Sequence, residues 1–419
     1  MSSIPALQVS ARTARLLDGT PGNRDQRRPP RPLTFVDPEI TDLDYTRDHI
    51  ERGMETHLGF PCATDIDFSP LTPLFLVALN NLGDPAADPV WPAHTMRWER
   101  EVVNWMATLF RADPVDQWGY VTTGGTEGTM QALRMARELY PDGVLYYSTA
   151  AHYSVPKIAH ALRIPSVVVE ADPTGQIHYG RLRALARRNA NAPAIVLATC
   201  GTTMTEAVDD IERVHAALTA AGITSRYVHV DAALSGVPMA LLCEDNRPAC
   251  LDMSLGLTDS ISISGHKFLG LPMPCGVLIA RRSLAEPLVR PVAYTQTTDT
   301  TLLGPRSGHT AMALWWVTRR YGRDGLHRRA ENARANATYL LEQLVAHGHT
   351  AWRNPHSMTV VLRRPPQPVV RKRALAVHGD WSHAITMPGV TRDMIDNFVH
   401  DLTIATRTSA YLQAVAPAA

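Results

Sequence analysis

Short apolar runs trade places with amphipathic stretches through the middle of the chain. Runs at residues 119–121, 144–147, 166–169, 194–199, 227–230, 260–263 and 276–280 have the length and β-branched content of strands. Apolar residues at helical spacing fill several intervals, near 155–162, 179–188 and 211–221, and one follows Gly128 through Met130, Leu133, Met135 and Leu139. This alternation predicts an α/β fold with a mostly parallel sheet covered on both faces. Ligands of such sheets bind beyond the carboxyl ends of the strands. Upstream, Leu58-Gly59-Phe60-Pro61 reads as a rigid turn, and 71–81 as a helix stopped by Asn80-Asn81-Leu82-Gly83-Asp84-Pro85. A second helix, over 96–110, carries Val102, Trp105, Met106 and Leu109 on one face.

Beyond Gly308 the rhythm changes. One helix through Met312, Leu314, Trp315 and Val317 and another over 332–345 precede strands at 357–362 and 383–386 and a last helix at 392–412. The expected organisation is a flexible arm over 1–44, a large domain over 45–307 and a small C-terminal α+β domain over 308–419. The arm reading rests on Pro21-Gly22-Asn23-Arg24-Asp25-Gln26-Arg27-Arg28-Pro29-Pro30, which lacks apolar periodicity.

Charge narrows the partners. A formal net charge of +1 gives no polyelectrolyte signal, so neither nucleic acid nor an anionic membrane is expected as a partner. No apolar run approaches the roughly 18 residues that span a bilayer. Five scattered cysteines with no C-x-x-C pair argue against a disulfide framework or a zinc site, so no metal is expected and a cytoplasmic location is favoured.

Candidate chemistry begins with scarcity. The chain has only Lys157, Lys267 and Lys372 beside its many arginines. Arginine keeps its proton and cannot act as an amine nucleophile. Lys157 falls in a helical stretch, and Lys372 in the solvent-facing run Arg371-Lys372-Arg373. Lys267 follows the run Ser260-Ile261-Ser262-Ile263-Ser264 and a break at Gly265, where burial can lower an amine's pKa. The plain alternative is a buried structural lysine.

Three further features stand at predicted strand ends. Thr123-Gly124-Gly125-Thr126-Glu127-Gly128 opens a helix, so its amides and dipole suit an anion. It matches neither G-x-G-x-x-G nor a Walker loop, and a structural turn reads the same way. His152 is either a loop residue or a ring laid on an aromatic cofactor. Asp231 either caps a turn or meets a partner charge. In combination these features match what pyridoxal 5'-phosphate requires: a lysine for its aldehyde, a carboxylate for its pyridine nitrogen, amides for its phosphate and a flat ring over its face.

Residues 119–128, Leu145-Tyr146-Tyr147-Ser148, His152-Tyr153-Ser154, Asp231-Ala232-Ala233-Leu234-Ser235-Gly236 and Ser264-Gly265-His266-Lys267 resemble the group II pyridoxal-phosphate amino-acid decarboxylases. Within that group the chain is most similar to bacterial histidine decarboxylases, then to plant serine decarboxylases. The likeness runs from about Leu58 to about Leu402 and includes Arg306-Ser307-Gly308-His309 and Ala351-Trp352-Arg353-Asn354. It implies a fold-type-I enzyme acting as a homodimer with the active site between subunits. It also implies Lys267 as the Schiff-base lysine, Asp231 as the partner of the pyridine nitrogen and His152 stacked on the ring. Gly124, Gly125, Thr126, Thr203, Ala233, Ser264 and His266 would complete the cofactor site, with Ser307 approaching the phosphate from the neighbouring subunit. Phe60, Pro61, Asn80 and Asn81 fall where the family lines its substrate pocket. Tyr294 lies where relatives supply a tyrosine that returns a proton to the α-carbon.

The implied reaction is decarboxylation of an L-amino acid, with L-histidine, giving histamine, as the lead substrate. Departures bear on that choice: Phe60 replaces a tyrosine of the relatives, Thr122-Thr123 a Thr-Asn, Pro305 a serine and Leu271 a small residue. A single lost hydroxyl can redirect specificity where a site hydrogen-bonds its substrate. Serine or a specialised-metabolite precursor is therefore an alternative substrate. The same residues leave room for a decarboxylase-oxidase or aminotransferase, an inactive cofactor-binding scaffold, and a non-enzymatic nucleotide-binding or regulatory α/β protein.

Overall fold

A computed structural model describes residues 40–87 and 91–415. Residues up to Met54 and those from Glu55 onward form two units. The first contributes helix α1 (Ile40–Met54), which runs across the expected end of the arm; residues 1–39 of that arm lie outside the described residues.

The second unit is built on a seven-stranded sheet of β1 (Gln117–Thr122), β2 (Val144–Ser148), β3 (Ser166–Val169), β4 (Ala194–Thr199), β5 (Arg226–Asp231), β6 (Ser260–Ser264) and β7 (Gly276–Arg281). Their spatial order is β1-β7-β6-β5-β4-β2-β3, and β7 alone runs antiparallel to its neighbours. Each strand coincides with one of the seven apolar runs. The central strands are apolar on both faces because both are covered. Ile195 and Leu197 of β4 and Tyr227 of β5 point into a core with Leu133 of α3 (Gly125–Leu139) and Ile158 of α4 (Val155–Leu162). Val196, Val228 and Val230 point the other way, into a core with Val102 and Met106 of α2 (Met96–Leu109). That second face also receives Leu182 of α5 (Tyr179–Ala186), Val214 of α6 (Ile211–Ala220) and Val237 of α7 (Gly236–Leu242).

The two helices expected after Gly308 meet at a kink at Gly322, whose φ of 59° is open to glycine, and together make up α8 (Gly308–Ala346). Met312 and Leu314 before the kink and Leu326 just after it join the large core. Its last part gives Leu340 and Leu344 to a separate core with Leu58, Val360 and Phe398. Four antiparallel strands, β8 (Ala351–Trp352), β9 (Thr359–Arg363), β10 (Ala376–His378) and β11 (Trp381–Ile385), are ordered β8-β9-β11-β10 against this second core. Helices α9 (Gln367–Lys372) and α10 (Arg392–Val415) complete this part.

The helix expected over 71–81 is absent. A 3₁₀ turn covers Ser69–Leu76, and Asn80–Asn81 pairs antiparallel with Arg306–Ser307. Pro70 and Pro73 lack the N–H groups an α-helix needs, so apolar spacing alone misleads there.

Candidate active site

The parallel strands deliver their chemistry at one edge. Ser148 ends β2, Thr199 ends β4, Asp231 ends β5 and Ser264 ends β6; the loops beyond carry His152, Thr203, Ala233 and Lys267. Gly265 is required by the turn out of β6: a Cβ there would lie 2.5 Å from Cys275 Sγ and 2.9 Å from Leu314 Cδ2. His266 is fixed by its Nδ1, 3.0 Å from the Cys275 carbonyl oxygen and 3.2 Å from the Cys275 amide nitrogen. The Lys267 carbonyl accepts the Ala63 N–H at 3.2 Å, which draws the Phe60–Cys62 segment alongside the lysine.

Burial pushes the Lys267 amine below its usual pKa, while the negative charges of Asp231 and Glu206 pull it back up. His152 is also held below its ordinary value, by burial first, with Asp231 opposing and the Lys267 and Lys157 cations adding to the shift. These effects place the lysine, the aspartate and the histidine in one electrostatic neighbourhood. Asp231 Oδ1 accepts the Ala233 N–H at 3.1 Å, and His152 Nδ1 lies 2.8 Å from Ser154 Oγ. The other two lysines are occupied elsewhere: Lys157 sits over the Tyr153 ring, and Lys372 pairs with Asp401 at 2.9 Å.

A cradle for an anion adjoins them. Helix α3 begins after Gly124 with no side chain capping its first turn. Its leading amides therefore point outward with the positive end of the helix dipole. A Cβ at Gly124 would meet nothing within 4 Å, whereas one at Gly125 would come 3.0 Å from Ser264 Oγ and 3.6 Å from Ala233 Cβ. Glycine keeps that space clear for a group the size of a phosphate. Thr126 is exposed at the same helix end. Glu127, one turn in, accepts Tyr120 Oη at 3.0 Å, Thr123 N–H at 2.7 Å and Thr123 Oγ1 at 2.8 Å, which fixes the loop.

Family models and known proteins resolve what this geometry is for. Residues 89–362 match the pyridoxal-dependent decarboxylase conserved domain. The chain belongs to the pyridoxal-dependent decarboxylase family. It is 39% identical over 361 residues to the histidine decarboxylase of Mesorhizobium japonicum, covering 86% of this chain and 96% of that one. It is 39% identical over 356 residues to serine decarboxylase 2 of Oryza sativa, covering 84% and 75%. The crystal structure of L-methionine decarboxylase from Streptomyces sp. 590 superposes with a TM-score of 0.80 at 24% identity, over 87% of this chain and 94% of that one. The fold is that of the fold-type-I enzymes, and the protein is an amino-acid decarboxylase that uses pyridoxal phosphate.

The site fits that cofactor: the cleared cradle at Gly124–Gly125, the buried amine of Lys267 and the strand-end carboxylate of Asp231 supply a phosphate seat, a nucleophile and a charge partner. Not every residue singled out in the sequence comes with them. Thr203 is exposed on the loop after β4. Ser307 caps α8, accepting the Thr310 N–H at 3.3 Å. Arg306 beside it is buried on Glu99, with its Nη1 donating to the Gly83 carbonyl at 2.7 Å, so its guanidinium is spent within the chain rather than offered to a phosphate. Asn81 is similarly committed: Nδ2 donates to Glu99 Oε2 at 2.8 Å and Oδ1 accepts the Thr95 N–H at 2.8 Å, which holds the frame rather than a substrate. Asn80 is half-buried in the short strand pair, and Pro61 is half-buried next to Phe60, which is 64% exposed. Tyr294 stands at the tip of the hairpin formed by Arg290–Val292 and Thr297–Asp299, 89% exposed and in the sequence well past Lys267.

Two carboxylates carry no mark in the sequence: Glu99, which organises the Asn81–Arg306 frame, and Glu206, buried in the loop after β4. Neither sits in a motif. The one signal for Glu99 is its place on the apolar face of α2, three residues before Val102.

Proposed function

We propose that the enzyme decarboxylates L-histidine to histamine and CO2, and that it does so as a homodimer in which each site is completed by the partner subunit. The observation that carries the substrate is the 39% identity to a histidine decarboxylase sustained over 96% of that protein's length. The dimer is supported by apolar surface that a lone chain leaves in water. Leu76 is 88% exposed, beside partly exposed Leu74, Phe75 and Val77, and Tyr294 projects on its own hairpin.

When bound, pyridoxal phosphate supplies an electron-poor ring that accepts the pair left behind when CO2 departs. The chain's own residues prepare for it. Amides at the start of α3, with Ser264 and His266 across the cradle, hold the phosphate. The Asp231 carboxylate would keep a proton on the ring nitrogen, since a negative charge facing a buried base favours its protonated form. His152, steadied by Ser154, presents its ring to one face. Lys267, its amine biased toward the neutral form by burial, is the nucleophile that would hold the cofactor's aldehyde. Phe60 and Pro61 would line the substrate end. Tyr294 of one subunit returns a proton to the α-carbon in its partner's site.

Three measurements test this. Purified enzyme given each of the twenty amino acids should release CO2 and amine fastest from histidine; faster turnover of serine or methionine would overturn the substrate. Tyr294→Phe should lower kcat by about 10²-fold, the scale of one general acid, with the fold intact. Mixing it with Lys267→Ala should restore activity through hybrid dimers, and mixtures as inactive as their parents would rule out the shared site.

A further inference from the structure

Glu206 has no place in the chemistry so far, yet its setting is unusual. It is 1% exposed, and its backbone has φ 53°, in the left-handed region that glycine prefers. Four groups converge on its carboxylate. Ser235 Oγ donates to Oε1 at 2.8 Å; Thr359 Oγ1 at 2.6 Å, Ser357 Oγ at 2.9 Å and the Met358 N–H at 2.9 Å all approach Oε2. An ionised carboxylate accepts about four hydrogen bonds and donates none, so these donors favour the charged form and oppose burial, which raises the Glu206 carboxyl above its ordinary value. The partners come from two places that matter. Ser235 lies four residues beyond Asp231, and residues 357–359 lead into β9 of the small domain. The loop holding Glu206 also carries Thr203 and is tied to the small domain by Asn354 Nδ2, which donates to the Thr205 carbonyl at 2.9 Å.

We propose that Glu206 is a positioning residue for the decarboxylation: its carboxylate clamps residues 357–359 onto the loop after β4 and sets, with Asp231, the charge felt by the Lys267 amine. Burial lowers that amine's pKa and so favours its neutral form. The negative charges of Asp231 and Glu206 oppose that shift, which favours uptake of a proton by the amine when the substrate displaces it. Around Glu206 the charged or titratable groups are Lys267, Arg353 and the Cys200 thiol, each of which feels its charge. Around Lys267 they are Asp231, His152 and His266. The proposal rests on the family's use of Lys267, and not on which amino acid is consumed.

The test uses the cofactor-free protein. With three lysines in the chain, peptide mass spectrometry after brief labelling with an amine-acylating reagent reports Lys267 separately. Glu206→Gln keeps the shape and removes the charge. Glu206→Gly removes charge and clamp together while suiting the left-handed backbone, and so folds even where the glutamine variant does not. Both should move the pH midpoint of Lys267 labelling down by about half a unit or more, as expected for loss of one nearby charge. The glycine variant should in addition raise the rate of proteolysis at the loop carrying Thr203 and Thr205. An unchanged midpoint in either folded variant overturns the charge role; equal proteolysis of wild type and the glycine variant overturns the clamp.

Discussion

Two groups of buried charges sit within the same domain and do opposite work. In the first, Glu99 meets Arg306 through two hydrogen bonds, at 2.9 and 3.1 Å, and also accepts Asn81 Nδ2 and, at 3.0 Å, the Val121 N–H. Arg306 in turn lies over the Tyr120 ring, 5.7 Å from its centroid. Each charge there is answered within the chain, and the cluster welds α2, β1 and the short strand pair behind the anion cradle. In the second group, Lys267, Asp231 and His152 share a field but not a closed set of bonds, and burial holds two of the three below their ordinary pKa values. A saturated cluster fixes shape. An unsaturated one stores reactivity, because its groups have a partner still to find.

The sharpest way to break the comparison is to remove one member of each cluster. Lys267→Ala should abolish turnover, by at least about 10³-fold, because no other amine is placed to replace it. Its apo form should be as stable as wild type or more so in urea, since an amine whose pKa burial depresses opposes folding at neutral pH. Glu99→Gln should do the reverse. With Arg306 left buried and uncompensated, unfolding should become easier by about 3–5 kcal/mol, while the folded fraction still takes up cofactor. Urea titration of both apoproteins, with cofactor absorbance as the second readout, decides it. A destabilised Lys267→Ala, or a Glu99→Gln variant as stable as wild type, would erase the distinction.

The two clusters also differ in how far the amino-acid sequence alone reveals them. The sheet is legible because seven strands buried on one or both faces leave seven apolar runs, and Lys267 stands out in a chain that uses arginine almost everywhere else. Asp231 is legible because a charge closing an apolar strand has few uses. The frame cluster is not. Asn81 belongs to a stop signal and Arg306 to a family segment, and nothing local distinguishes a side chain aimed at a ligand from one aimed at Glu99. Glu206 is hidden for a similar reason: in Thr202-Thr203-Met204-Thr205-Glu206 it looks solvated, and three of its four partners, Ser357, Met358 and Thr359, lie about 150 residues away. Residues 71–81 mislead differently, because apolar spacing outvotes Pro73 and the Pro70 just before it.

A third buried group sharpens the contrast by behaving like neither cluster. His229, in the middle of β5, is fully buried, with Nδ1 2.8 Å from Ser260 Oγ and Nε2 3.2 Å from Ser262 Oγ. It has hydrogen-bond partners but no counter-charge, and burial lowers its pKa to about 3. In the unfolded chain the imidazole titrates near 6.5, so as pH falls below that value the unfolded state takes up a proton that the folded site refuses. Stability present above pH 6.5 is therefore lost progressively toward pH 3, and about 2 kcal/mol of it should be gone by pH 5. Asp209 works against this in the same window. Burial raises its pKa to about 6, so the folded state holds a proton there that the unfolded state has released, and acid favours folding through that group. Because Asp209 contributes equally to wild type and variant, the His229→Gln difference isolates the histidine. Urea titrations of apoprotein at pH 7 and pH 5 should show wild type losing about 2 kcal/mol more than the variant between the two values. Parallel losses would mean that His229 meets a negative charge after all and belongs with the paired cluster.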